Sequence, residues 1–143
     1  MRNFWALHSF FYFLMLFSFS LPTQVFAADE GAEENSEEAI YFELSPPFVV
    51  NLNDSGKRIR FLQARIQVLA YGASKIEKVK LHDAPIRDAL IMLLSAQSKN
   101  DINTSQKKKA LQEKALKVVK EVLKKETGRV QIDGLYFTNF VTQ

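Results

Sequence analysis

Few residues in this 143-residue chain could carry out chemistry. The chain has no cysteine, so disulfide bonds, thiolate metal sites and cysteine nucleophiles are excluded. Of its two histidines, His8 lies in an apolar N-terminal segment and His82 stands alone in the rest of the chain. A single histidine without a second candidate ligand more often caps a helix or lies at the surface than binds a metal. The usual general bases and nucleophiles are therefore missing.

The carboxylates do not supply an acid–base pair at a recognisable spacing, and helix capping and surface solvation explain them more simply. This holds for Glu43, Asp54, Asp83, Asp88 and Asp133. The chain also lacks a glycine-rich phosphate loop, a nucleophile elbow, a zinc-protease motif and a calcium loop. The sequence therefore predicts a protein that is not an enzyme and that holds neither a cofactor nor a metal.

Charge is distributed unevenly along the chain. Six acids and no base fall between Asp29 and Glu38, whereas residues 39–143 hold eighteen lysines and arginines against ten acids, a net charge of +8. Residues 28–39 contain no apolar side chain larger than alanine. Such a segment cannot bury enough surface to offset the entropy of ordering, so it is predicted to be an acidic, flexible tether.

The N-terminus has the features of an export signal. Arg2 is the only charge before Asp29, Phe10–Phe17 is an unbroken apolar run, and small residues end the segment at Ala27. This pattern predicts a signal peptide over residues 1–27, cleaved between Ala27 and Ala28. An uncleaved membrane anchor is the alternative, because residues 4–21 are long enough to span a bilayer. Both interpretations place residues 28–143 outside the cytoplasm, where nucleic acid is not the expected partner of a basic domain.

The first part of the domain reads as strands. Two apolar runs, Ile40–Leu44 and Phe48–Leu52, are separated by Pro46 and Pro47, which have no N–H for a sheet ladder. The chain must turn, or cross between pairings, at these prolines. Residues 58–71 then alternate apolar and polar side chains, with a one-residue slip at 61–62 that predicts a β-bulge. A turn over 53–57 predicts a hairpin between this strand and the preceding one.

The rest of the domain reads as helices and a final strand. A capping box at Ser74–Glu77 begins a helix in which Pro85 either introduces a kink or starts a new helix. A polar connection over 97–104 leads to a second helix over 105–127, followed by Gly128 at its C-terminus. Residues 129–141 read as β structure, with Gly134 at a bulge or turn. The order predicts an α+β domain with a mainly antiparallel sheet packed on one face by two helices.

Four segments, in this order, resemble the FliL family of flagellar basal-body-associated proteins. They are YFELSPPFVVNLNDSGKRIRFLQARIQV (41–68), PIRDALIMLLSAQS (85–98), KEVLKKETG (120–128) and LYFTNFVTQ (135–143). The resemblance implies that residues 40–143 form a periplasmic domain of the stomatin/prohibitin type. It further implies a homo-oligomeric ring around the flagellar stator that contacts stator periplasmic segments and other basal-body proteins. Such a component supports stator engagement, torque, swimming, swarming and chemotaxis, without catalysis.

One feature departs from the family pattern. Members usually begin with a basic cytoplasmic tail and a retained transmembrane helix, whereas this chain has Arg2 alone and a cleavable-looking signal. The expected location is therefore the periplasm, at the basal body on the outer side of the inner membrane. Anchoring in the inner membrane by an uncleaved N-terminal helix is the alternative.

Partner contacts are expected at two places. One is the corner formed by Pro46, Pro47 and Phe48, and the other is the 97–104 loop with Asn100 and Asp101. The competing interpretation is that the prolines only direct the chain and that Phe48 belongs to the core. Two other functions stay open: a periplasmic scaffold or chaperone-like module for another envelope complex, and an anion- or cell-wall-binding domain that uses the lysines of 107–125, with association at a membrane surface.

Overall fold

The computed structural model describes residues 38–54, 58–129 and 131–143. The predicted signal peptide, its cleavage at Ala27 and Ala28, and nearly all of the tether lie outside these residues. The described part is an α+β domain with four strands and three α-helices, which confirms the predicted fold class. Its elements are β1 (Ala39–Glu43), β2 (Phe48–Asn51), β3 (Phe61–Tyr71), α1 (Ala73–Leu81), α2 (Asp83–Ser95), a 3-10 turn (Lys99–Asp101), α3 (Ser105–Thr127) and β4 (Gly134–Thr142).

Strand β3 is the centre of an entirely antiparallel sheet. β4 pairs with β3 from Leu62 to Leu69 and so occupies one of its edges. β1 pairs with residues 67–71 of β3 and β2 pairs with residues 61–64. Because a strand has only two edges, β1 and β2 must lie end to end along the edge opposite β4.

The two prolines separate these collinear strands. Residues 44–47 lie opposite only Arg65 and Ile66, since Glu43 pairs with Gln67 and Phe48 pairs with Ala64. The chain therefore bulges away from β3 at the prolines and then returns to the same strand, with a cis peptide bond between Ser45 and Pro46. The chain therefore does not turn back at the prolines. It passes from one pairing, between β1 and β3, to a second pairing, between β2 and the same strand. The predicted β2–β3 hairpin is confirmed.

The predicted bulge at residues 61–62 is wrong. Those residues pair regularly with Val50 and Asn51 of β2. The phase slip in the sequence arises because β3 begins only at Phe61, so that Ile59 precedes the strand and is exposed. The irregularity of the sheet lies between β3 and β4, where Thr138 is an extra residue opposite Arg65 and Ile66.

The first helical segment also differs from its prediction. α1 begins at Ala73 after Gly72, whose φ of 91° favours glycine, so Ser74 lies inside the first turn and forms no cap. Pro85 starts a new helix rather than kinking the first, because it lies in the first turn of α2, where a missing N–H costs little. α3 matches its predicted bounds, with Thr104 accepting from the backbone N–H of Lys107 at 3.2 Å and Gly128 at a φ of 75°.

The helices cover one face of the sheet. Alternate side chains of β3 face the helices and are fully buried, and apolar residues from all three helices join them in the core. The principal residues of this core are Leu62, Ala64, Ile66, Val68, Val79, Ile86, Leu90, Leu94, Leu111, Ala115, Val119 and Leu123. Within the described residues, no helix combines the length and the hydropathy that crossing a bilayer requires.

Candidate functional site

Three of the groups that could have supported chemistry have structural roles. His82 joins α1 to α2, and its Nδ1–H donates to the carbonyl oxygen of Lys78 at 2.8 Å, so it caps a helix as expected. Asp54 accepts from the backbone N–H of Lys99 at 3.1 Å, and Asp133 accepts from the backbone N–H of Tyr71 at 3.3 Å. Across residues 38–54, 58–129 and 131–143, no three acidic or histidine side chains are grouped as metal ligands.

The proline corner contains one core residue and two accessible ones. Phe48 is only 1 % exposed and belongs to the core, whereas Pro46 is exposed and Pro47 is half-buried. Arg87 of α2 packs against this corner. Its guanidinium carbon lies 4.3 Å from the centroid of the Phe48 ring, and its Nη1 donates to the carbonyl oxygen of Leu44 at 3.3 Å. Any contact at this corner must therefore use the prolines and not the Phe48 side chain.

The loop between α2 and α3 exposes both of its predicted contact residues. Asn100 and Asp101 lie in the 3-10 turn, and Lys107 Nζ donates to the Asn100 carbonyl oxygen. Asp101 Oδ2 accepts from the Ser98 hydroxyl at 2.6 Å and from the Ser98 backbone N–H at 2.9 Å. These two hydrogen bonds stabilise the carboxylate and hold the pKa of Asp101 below its ordinary value of 3.8.

The structure does not bring the two predicted contact regions together. The backbone N–H of Asn53 donates to the carbonyl oxygen of Gln97 at 2.9 Å, which fixes the loop beside the C-terminal end of β2. The proline corner lies at the N-terminal end of that strand. About 16 Å of extended chain separates Phe48 from Asn53. The two regions therefore belong to different parts of the surface.

A third surface, the face of the sheet opposite the helices, was missed by the sequence analysis. We call this surface, formed by the side chains of β1–β4 that point away from α1–α3, the outer face. Val49 is 64 % exposed, Tyr41 is 59 % exposed and Tyr136 is 39 % exposed on it. The two tyrosine rings, from β1 and β4, lie 6.0 Å apart across the sheet. Arg65 Nη1 lies 3.6 Å from Glu43 Oε1 between these aromatic and aliphatic groups.

The outer face has mainly polar side chains at its centre and mainly apolar ones on either side. The strand register places Val49, Gln63 and Val141 in one row across the sheet, and Glu43, Gln67 and Tyr136 in another. Tyr71 and Phe61 lie at the two ends of β3, and both are exposed. Exposed apolar side chains around a polar centre are a common composition for a protein contact surface. In the sequence these residues appear only as every second side chain of each strand, on the side that does not enter the core. The strand register is needed to show that they are neighbours.

The remaining charged surface is α3. It carries eight lysines and three glutamates, and all of these side chains are exposed except that of Lys120, which is half-buried. Lys117 Nζ and Glu121 Oε1 lie 4.0 Å apart, the limit of an ion pair, and both are largely exposed. The helix thus presents a strongly positive solvent face.

Comparison with known proteins gives a consistent family assignment. The family model described as "Flagellar basal body-associated protein FliL" matches residues 41–143. A protein named "Flagellar protein FliL" from Aquifex aeolicus (strain VF5) is 33 % identical over 109 residues, which are 75 % of this chain and 63 % of that protein. The match therefore spans less than two thirds of the relative's own length. The chain belongs to the FliL family, which confirms the resemblance drawn from the four sequence segments.

Proposed function

We propose that this protein is a non-enzymatic component of the flagellar basal body that self-associates around the stator through the outer face of its sheet. In this role it supports stator engagement, torque, swimming and swarming, with effects on chemotaxis that follow from motility. The proposal rests on membership of the FliL family together with one observation: the Tyr41–Tyr136 pair and its apolar neighbours are uncovered on a sheet whose other face packs against the helices.

The outer face suits a reversible contact between folded subunits. Aromatic side chains bring a large contact area at a small cost in conformational entropy, and Arg65, Glu43, Gln63 and Gln67 supply polar groups that fix the register of two surfaces. Pro46, Pro47, Asn100 and Asp101 are proposed as additional contacts with basal-body proteins, since all four have accessible side chains. The periplasm is the proposed location, with residues 1–27 acting as an export signal.

Deletion of the gene tests the proposal at the level of the cell. We expect reduced swimming and swarming, most clearly in viscous medium, while the number of flagellar filaments counted by electron microscopy stays normal. Normal motility under high load in the deletion strain would contradict a role at the stator.

Complementation tests the outer face itself. The double variant Tyr41→Ser/Tyr136→Ser is expected to remain folded, because both side chains are exposed, and to fail to restore motility. A matched control replaces two exposed apolar residues on the helical side, Leu81→Ser/Met92→Ser, and is expected to restore it. Equal motility for the two double variants would show that the outer face is not the surface through which the protein acts.

A further inference from the structure

The bulge at Thr138 creates an aromatic pair that a regular strand could not have. Residues three apart in a strand normally point to opposite faces of the sheet. Because Thr138 is an extra residue in β4, Phe137 and Phe140 both point to the helical side, opposite Ile66 and Ala64. Their ring centroids lie 5.1 Å apart, and both rings are half-buried.

A surface groove runs between this pair and the first turns of α3. Its lining consists of Ser105, Lys108, Lys109, Gln112, Phe137 and Phe140. Lys108 Nζ stands 5.2 Å from the centroid of the Phe140 ring. The lining thus combines two exposed cations with an aromatic floor and contains no carboxylate, so it is complementary to a ligand that carries both negative charge and an apolar group.

The edge of the sheet beside this groove is free among the described residues. Phe61 and Gln143 exchange two backbone hydrogen bonds, at 3.0 Å and 2.9 Å. In an antiparallel pair such bonds occur at every second residue, so Phe140 and Thr142 direct their N–H and C=O groups away from β3. Over the described ranges β4 pairs with β3 alone, and it contains no proline. The opposite edge, by contrast, is interrupted by Pro46 and Pro47.

We propose that the groove between α3 and β4 binds an extended acidic segment of a partner protein, which adds as a strand to the free edge of β4. The segment's backbone bonds to Phe140 and Thr142, one of its apolar side chains rests on Phe137 and Phe140, and its carboxylates face Lys108 and Lys109. This mode combines main-chain hydrogen bonds with side-chain selection, as in other cases of strand addition. It is independent of self-association through the outer face.

The observations favour a peptide over a lipid surface. The aromatic rings lie half-buried inside a groove, where a flat bilayer does not reach them, and unpaired backbone groups on a strand edge are satisfied by another strand. The lysines alone would attract any polyanion. What selects an extended peptide is the strand edge beside them.

Binding is tested with the full-length chain and a synthetic peptide as the probe. The peptide has eight residues. Its alternate positions carry glutamate and one central phenylalanine, so that the carboxylates and the ring share the face that meets the groove, and the positions between them carry valine. The matched control has the same sequence with every second backbone amide N-methylated, which removes its strand-forming donors but keeps its charge. We expect the unmodified peptide to bind at least about tenfold more tightly than the control in a fluorescence titration.

Variants separate the charge contribution from the edge contribution. Lys108→Glu/Lys109→Glu is expected to weaken peptide binding by at least about tenfold, whereas Lys117→Glu/Lys124→Glu, which makes the same change elsewhere on α3, changes it by less than about threefold. Thr142→Pro removes an N–H that points away from β3, so it preserves the sheet and abolishes the preference over the N-methylated peptide. The control Thr142→Val keeps that N–H and keeps the preference.

Three results would overturn this proposal. The first is equal affinity for the unmodified and N-methylated peptides, which shows charge attraction only. The second is binding to phosphatidylglycerol vesicles without measurable peptide binding, which makes the site a membrane contact. The third is a change of oligomeric state in Thr142→Pro by sedimentation, which shows that a second copy covers this edge. Each of these leaves the outer-face test of motility unaffected.

Discussion

The ring of Tyr136 lies over Gly134, two residues earlier on the same face of β4. A Cβ atom at Gly134 would lie 2.9 Å from Tyr136 Oη, a distance that real Cβ atoms essentially never show, and 3.0 Å from Cε2, tighter than most real contacts. Glycine at this position therefore leaves room for the ring, which in turn lies 6.0 Å from Tyr41 across the sheet. The glycine thus determines where one of the main aromatic groups of the outer face can lie.

Gly134→Ala is expected to displace the Tyr136 ring while leaving the domain folded. The clash is with the far end of a flexible side chain, and alanine costs less conformational entropy than glycine in a strand, so the free energy of unfolding should change by less than about 1 kcal/mol. Near-ultraviolet circular dichroism should show an altered tyrosine signal, and sedimentation should show weaker self-association. In a Tyr136→Ser background the same glycine substitution should have no further effect, since the ring it displaces is absent.

Arg87→Met is expected to destabilise the domain by about 1–2 kcal/mol. The substitution removes a half-buried hydrogen bond to the Leu44 carbonyl oxygen and the contact of the guanidinium with the Phe48 ring. Urea unfolding measures the loss, and Lys114→Met, which removes an exposed cation from α3, serves as the control for charge. A change in Arg87→Met no larger than in Lys114→Met would show that the corner does not depend on this arginine.

Phe48→Ala and Val49→Ala should differ sharply although the residues are adjacent. Phe48 is buried, and truncating it to alanine is expected to cost about 3–5 kcal/mol, whereas Val49 is exposed and should cost less than about 1 kcal/mol. Chemical denaturation measures both. Similar values for the two variants would mean that the alternation of β2 is not as described.

Asp101 is expected to titrate below its ordinary pKa of 3.8, because the Ser98 hydroxyl and backbone N–H donate to its charged form. A carboxylate with a lowered folded pKa stabilises the fold above its unfolded pKa and loses that contribution as the pH falls through the folded value. The contribution should therefore be present above pH 3.8 and decline below it. NMR titration of the side chain measures the pKa directly.

Ser98→Ala is the control for this titration. It removes the hydroxyl that is the largest cause of the shift, so the pKa of Asp101 should move upward towards 3.8. An unchanged pKa in Ser98→Ala would assign the shift to the backbone N–H or to nearby lysines instead.

Local patterns in the sequence predicted the elements better than their assembly. The alternation of β3, the hairpin with β2 and the end of α3 at Gly128 follow from side-chain periodicity and from backbone rules that act within a few residues. The start of α1 was misplaced because Gly72 ends the strand and begins the helix at once, which no capping side chain marks.

Long-range pairing could not be obtained in the same way. Thr138 is a bulge residue only because β4 pairs with β3 in a particular register, and threonine is an ordinary strand residue. Tyr41 and Tyr136 are 95 positions apart, and nothing local indicates that they share a surface. The two surfaces that carry the functional proposals both depend on this register, which explains why the sequence indicated the proline corner and the 97–104 loop instead.

A role at the flagellar basal body is tested most directly by locating the native protein in cells. Immunofluorescence with an antibody to this chain should show discrete foci that coincide with labelled flagellar motors, and the foci should vanish in a strain without basal bodies. Diffuse labelling of the cell envelope in cells that have assembled motors would contradict a role at the basal body.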